Sequence, residues 1–388
     1  MFQEKTHYER VMTIAREASS FTWMVKEIKE KLPDDLQYYH FAVDVLEPLI
    51  NDRERLSRHP LLLTAAVMDR DNPGWLSTHI QMEYLMLQFI RSGKQVFRLM
   101  PGLAKMLDET DIEAPAPLVK LPYRAFYMEV PHSLFTIWNN VSGEHRVEGI
   151  YICEDDWADE IKFIESGRRH IDNEGIREFL PELNRVIRVL VVGRPIGTEQ
   201  YVPGIENDAL FHFRLELGDG KISRYIQIAT HVSDSVRKSG DKAAGAYNEN
   251  LDRVGRVFRL IVNTLLYLSS THPEIETLEP LRYMEEVEKI KRLGGRGSRK
   301  GGRAWERTKK YTSIPRILLG KSLRYSVPVD STGRKLSARF QVRGHWRIYD
   351  PNNPHWVNVS GKVIWIQPYW KGPEIVDVME RKYRVGTK

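Results

Sequence analysis

A single cysteine, Cys153, in 388 residues leaves no room for an internal disulfide framework. Long apolar runs are missing too. The longest uncharged stretch, Leu260 to Pro273, falls short of the roughly 20 apolar residues a helix needs to cross a bilayer. The opening MFQEKTHYER mixes both charge signs where a secretory signal starts basic and continues apolar, so the protein is expected to stay in the cytoplasm where it is made. No Cys and His residues have zinc spacing, and Lys300 is followed by Gly301 rather than by the Ser or Thr of a phosphate-binding P-loop. Neither a metal nor a cofactor is expected.

What is present is a globular composition, 41% hydrophobic and 28% charged, in a chain long enough for two or three domains. The net charge of +6 hides an asymmetry. Residues 289–388 hold 24 Lys and Arg against 6 Asp and Glu, a net of +18, which leaves 34 against 46 in residues 1–288, a net of −12. An acidic body carrying a basic tail points to nucleic acid, an acidic partner, or both.

Periodicity predicts an α+β fold. Residues 1–112 read as a helical region, with apolar residues at three- and four-residue spacing in Val11–Ile28, Leu36–Ile50, Ile80–Arg91 and Gln95–Leu107, the last interrupted at Pro101-Gly102. Residues 113–293 read as an α+β body around a central antiparallel sheet with packed helices. Its strands are expected at Tyr123–Val130, Leu134–Trp138, Val147–Cys153 and Arg185–Val192, and a hairpin joins Ala209–Leu217 to Ile222–Ala229 through Gly218-Asp219-Gly220. Helices follow at Leu251–Leu268 and Leu278–Leu293. Residues 294–315, opening on GGRGSRKGG, read as a basic Gly-rich linker, and 316–388 as a small basic β-rich module holding four of the nine tryptophans.

Two surfaces invite an RNA reading. In an extended strand Arg339, Arg343, His345 and Arg347 share one side while Phe340, Val342, Trp346 and Ile348 share the other. A return strand supplies Trp365, Tyr369 and Lys371, which combine cations with stacking rings if they join the arginine side. The alternative is that the tryptophans are core and the arginines a solvated face. Arg296, Arg299, Lys300 and Arg303 of the linker resemble arginine-glycine segments that hold RNA electrostatically. An enzyme is the other class considered, an RNA-cleaving nuclease using His345 with Arg343 and Arg347, or a metal held near Asp155 by Glu154, Asp156, Asp159 and Glu160. Acids at a strand-to-helix junction more commonly cap the helix, so a non-catalytic protein is favoured.

Val342-Arg343-Gly344-His345-Trp346, followed by VIWIQPYWKGP from Val363 to Pro373, resembles the C-terminal signature of the second type V-A anti-CRISPR family. Weaker similarity covers Leu121–Val130 and the run Ile261–Leu268 leading into His272-Pro273-Glu274. The resemblance implies a phage or plasmid protein that lowers production of the type V-A CRISPR effector nuclease through translation and loss of its messenger. It further implies two partners, the nascent N-terminal peptide of that nuclease and RNA or the ribosome. A basic peptide suits the acidic body, and a strand edge at Tyr123, Phe126, Tyr127 and Glu129 is the candidate place for it in extended form.

Overall fold

The computed structural model describes residues 7, 9, 35–57, 75–132, 134–139, 143–166, 180–196, 209–238, 245–278, 288–295, 297–308, 316–323, 329–330, 340–349 and 362–371. The expected helices within 11–28 lie outside these residues, as do Arg296 and Arg339.

The framework is a sheet of eight strands: β1 (Val96–Leu99), β2 (Ala125–Glu129), β3 (Thr136–Asn139), β4 (Gly143–Asp156), β5 (Leu183–Pro195), β6 (Ala209–Gly218), β7 (Ile275–Leu278) and β8 (Arg316–Leu319). They lie in the order β6-β5-β4-β2-β1-β8-β7, with β3 also pairing with β4. Strand β1 runs parallel to both β2 and β8, and the other neighbours are antiparallel. The sheet is therefore mixed, and the α+β architecture read from periodicity is the one found.

Alternation along the long strands makes both faces apolar. Ile150, Ile152, Val189 and Val191 point into one core, while Tyr151, Cys153, Leu190 and Val192 point into another on the opposite face. The second core is closed by α1 (Trp75–Arg91) and by the helical run Tyr38–His40, Phe41–Leu46 and Glu47–Asn51, whose middle piece is π-helical. The first is closed by α2 (Pro101–Asp108), α4 (Ile222–Lys238) and α5 (Gly245–Leu268). Helix α3 (Trp157–Glu165) follows β4, its N-terminus capped by the Asp156 carboxylate, which accepts from the Ala158 N–H at 2.9 Å. Among the described residues no helix is long and apolar enough to cross a membrane.

Five expectations change. The helix expected from Leu278 does not begin there, because Leu278 is the last residue of β7, and 279–287 lie outside the described residues. Gln95–Leu107 is not one interrupted helix. Val96 to Leu99 form β1, and Pro101 starts α2 at a position where its missing N–H costs nothing. Ile222–Ala229 is helical, because Ile222, Tyr225 and Ile226 fall on one buried face of α4. The segment drawn as a linker contains α6 (Arg299–Thr308). Its glycines have specific tasks. Gly294 and Gly295, at φ 87° and 77°, end the preceding helix by donating to Lys291 and Ile290 carbonyls, and Ser298 Oγ accepts from the Gly301 N–H at 2.9 Å to start α6. Finally, Arg316 to Leu319 are strand β8 of the main sheet rather than the opening of a separate module.

Glu83 sits on α1 at 2% exposure, and its Oε2 has no hydrogen-bond partner. Burial alone pushes its carboxyl from 4.5 up to about 8. The folded state thus holds a proton that the unfolded chain releases, so stability should fall as pH rises from about 4.5 to 8. Glu83→Gln removes this titration and should stabilise by on the order of 3 kcal/mol at pH 7. Urea melts at pH 5 and pH 8 check it. A wild-type-to-variant difference that does not widen with pH would refute the assignment.

Candidate functional site

The signature residues lie where the remaining strands meet the body: β9 (Val329–Asp330), β10 (Phe340–Val342), β11 (His345–Ile348), β12 (Val363–Ile366) and β13 (Tyr369–Lys371). Strand β10 pairs with β13, which also pairs with β9, while β11 pairs only with β12 among the described strands. The run from Phe340 to Ile348 is therefore two strands divided at Arg343-Gly344. The Gly344 C=O accepts from the Asp111 N–H at 2.8 Å, just beyond the end of α2. A Cβ at Gly344 would stand 2.4 Å from Thr110 Oγ1, so only glycine allows this approach.

From that anchor the hairpin docks through its tryptophans. Trp346 Nε1 donates to Asn263 Oδ1 at 2.8 Å, and the Asn263 amide donates in turn to the Leu107 and Thr110 carbonyls at 2.8 and 3.0 Å. Trp365 stands directly opposite Trp346, with ring centroids 6.1 Å apart and 27° between planes. Its Nε1 donates to Thr110 Oγ1 at 3.3 Å, and its ring meets Tyr267 edge-on at 5.6 Å. Trp346 and Val363 belong to the same core as the sheet. Every polar atom named in this junction is paired, which is what burial requires.

The expected RNA-facing set is thus divided. Arg347 points outward and is exposed, while Arg343, more than half exposed, pairs with Asp111 at 3.3 Å. Arg299, Lys300 and Arg303 are exposed on α6. His345 is half-buried, with Nδ1 3.3 Å from the Arg343 C=O, and Tyr369 is half-buried opposite Val342. Lys371 lies in β13 opposite Phe340. Trp365 is a correction: cross-strand partners share a face, so its register opposite Trp346 turns it away from Arg347 and into the docking contact.

The peptide edge at Tyr123, Phe126, Tyr127 and Glu129 is also corrected. β2 is an interior strand, hydrogen-bonded to β1 on one side and β4 on the other, and offers no edge. Phe126 and Tyr127 are buried. Glu129 is taken by Arg98 and by Arg316, whose Nε lies 3.2 Å away. Tyr123 alone of the four is exposed, at 40%.

The acids considered for a metal are likewise committed. Asp155 and Glu160 accept from Arg188, Glu154 from Arg185, and Asp156 caps α3. Carboxylates neutralised by arginine are poor cation ligands, and among the described residues no group of His, Cys, Asp and Glu is arranged to hold a metal ion. Burial also pushes the Cys153 thiol well above its ordinary range, as suits a structural residue.

Two adjoining clefts flank the junction. One, of about 750 Å³, is lined by Met100, Pro101, Lys105, Pro131, Leu134 and Leu323, with Asp108 and Arg256 at its side. The other, of about 280 Å³, is lined by Asp108, Glu109, Asp111, Arg259 and Arg343. Arg256 grips both carboxylate oxygens of Asp108 through Nε and Nη2, at 2.7 and 2.5 Å, so the wall between α2 and α5 is fixed. Sequence reasoning did not find Asn263 or Thr110. A polar residue inside the apolar run of α5 was the available signal for Asn263.

These features define an α+β protein in which a Trp-bearing hairpin is built onto one face of a two-sided sheet. The profile of the AcrVA2-like group, described as the anti-CRISPR type V subtype A2 family, matches residues 97–373, and the chain belongs to that family. The match starts within β1 and runs through the signature. A solved structure titled "Crystal structure of AcrVA2" aligns over 93% of this chain and 95% of that chain, at 11% identity and a TM-score of 0.39. No curated protein matches the sequence.

Proposed function

We propose that this protein, acting in the cytoplasm of a bacterial host, lowers production of the type V-A effector nuclease during translation. It recognises the nascent N-terminal peptide of the nuclease and promotes loss of the messenger. The observation that carries this reading is membership of the type V-A anti-CRISPR family over residues 97–373. The charge division supports it: a body of net −12 attracts a basic peptide, and a C-terminal part of net +18 suits RNA or the ribosome. Phosphate contacts carry no sequence information, so selectivity for one message has to come from the peptide side.

The test recodes the first codons of the nuclease in two ways, one keeping the peptide with altered RNA, the other shifting the frame with nearly the same RNA. Knock-down is expected to follow the peptide. Knock-down that follows the RNA overturns peptide recognition, and absence of any response overturns the anti-CRISPR reading for this chain.

The RNA-facing part has its own expected result. Replacing Arg299, Lys300, Arg303, Arg343 and Arg347 with Ala should weaken RNA or ribosome association and reduce its log–log salt slope by about one for each phosphate that is no longer neutralised. Circular dichroism should be unchanged, because these side chains are exposed. A folded variant with the wild-type slope rules this surface out.

A further inference from the structure

β7 is the last strand of the sheet beyond β8, and all four of its residues are exposed, Ile275 at 48% and Leu278 at 37%. Its hydrogen-bonding phase follows from its neighbours. The Gly320 N–H donates to the Glu274 C=O at 3.0 Å, so the Glu274 carbonyl faces β8 and fixes the phase, while the Glu274 N–H donates to the Tyr267 hydroxyl at 2.7 Å. Hydrogen-bonded pairs alternate in an antiparallel ladder, so Glu276 and Leu278 turn their amides toward β8 while Ile275 and Thr277 turn theirs outward. The opposite strand agrees, since the Leu319 C=O, across from Ile275, accepts from the Met100 N–H at 3.2 Å on the β1 side. No described strand pairs with the outward row.

We infer that this outward edge of β7 binds an extended basic peptide by strand addition. The inference rests on the peptide recognition proposed above and gives that recognition a place. Main-chain groups of Ile275 and Thr277 supply the ladder, and the exposed Ile275 and Leu278 side chains supply apolar contact. The charge of the segment selects the occupant. The charged residues of 274–278 are Glu274 and Glu276, with no Lys or Arg among them, so a basic chain is attracted. A second copy of the same edge would bring Glu276 close to its own counterpart, which opposes self-pairing. Glu274 and Glu276 are held in place by Ser322 and Lys321 of the turn after β8, which steadies the strand that would receive the peptide.

The test measures binding of a fluorescent synthetic peptide, carrying the opening residues of the type V-A effector nuclease, to the purified full-length protein. Thr277→Pro removes an outward N–H and leaves the donors facing β8 intact, a substitution that an edge strand tolerates. Its binding should weaken by about tenfold at an unchanged melting temperature. In the wild type, peptide should slow amide exchange at Ile275 and Thr277. If the variant melts early, this exchange measurement decides. Wild-type affinity in a folded variant, or no slowing at these amides, overturns the β7 site while peptide recognition stands. A wild-type protein that does not bind the peptide overturns both. A dimer that Thr277→Pro converts to monomer shows that a second copy takes the edge and likewise overturns the inference.

Discussion

Trp346→Ala is expected to cost about 3–5 kcal/mol of stability and to release the hairpin from the body. The ring is 7% exposed, stacks on Trp365, and satisfies Asn263 through its N–H. Removing it opens a cavity in the core shared with the sheet and leaves Asn263 Oδ1 without its donor. Trp346→Phe keeps most of the ring volume and loses the N–H, so its cost should be about 1–3 kcal/mol, the penalty of the orphaned amide oxygen. Urea unfolding of both variants separates the packing contribution from the hydrogen bond. A shift below about 1 kcal/mol for Trp346→Ala would show that the hairpin is not part of the cooperative unit.

The long elements were legible because their patterns extend over many residues. β4 and β5 are apolar on both faces, and α5 is apolar for three turns, so neighbouring context reinforced each assignment. Short elements gave too little pattern. β1 has four residues, and Val96, Phe97 and Leu99 fit a helix template as readily as a strand. In α4 the alternation of Ile226 and Ile228 after a Gly-Asp-Gly turn resembles a hairpin, and only the burial of Ile222, Tyr225 and Ile226 decides for a helix. The GGRGSRKGG segment was read by composition, which conceals that two of its glycines terminate one helix and that Ser298 begins the next.

At the site, the signature was found but its work was misassigned in part. Alternation predicts one extended strand carrying Arg339 through Arg347, whereas Gly344 divides it to approach Thr110. Trp365 then fell on the wrong side because strand register depends on where a partner lies, which local alternation does not specify. The outward direction of Arg347 needed only alternation within one strand and was legible. That β2 is interior depends on β1 and β4 arriving from either side, a property of topology that no local window contains.

The layer opposite the signature is held by charge as well as by apolar contact, and Arg188→Met should expose this with a loss of about 3–5 kcal/mol. Arg188 on β5 is 1% exposed. It donates to Asp155 Oδ2 at 2.6 Å and to Glu160, and its guanidinium lies 4.0 Å from the Tyr38 ring centre. Asp155 also accepts from Tyr84 of α1, and Glu160 from Arg214 of β6 at 2.8 Å. Arg124 and Gln88 both donate to the Leu36 C=O, so the helical run beginning at Tyr38 is tied to the sheet through the same cluster. Removing the central cation leaves two buried carboxylates with too little compensation, a larger penalty than a packing change alone would bring. Coupling distinguishes this from a simple packing defect. Glu160→Gln alone should also destabilise, but the Arg188→Met/Glu160→Gln pair should lose less than the sum of the two, by about 0.5–3 kcal/mol, because the second change removes a charge that the first had stranded. Strict additivity in that cycle would mean that the two side chains do not interact as the geometry requires. The same cycle, followed by hydrogen exchange at residues 35–57, should show the helical run losing protection first, since the cluster is its polar tie to β4 and β5.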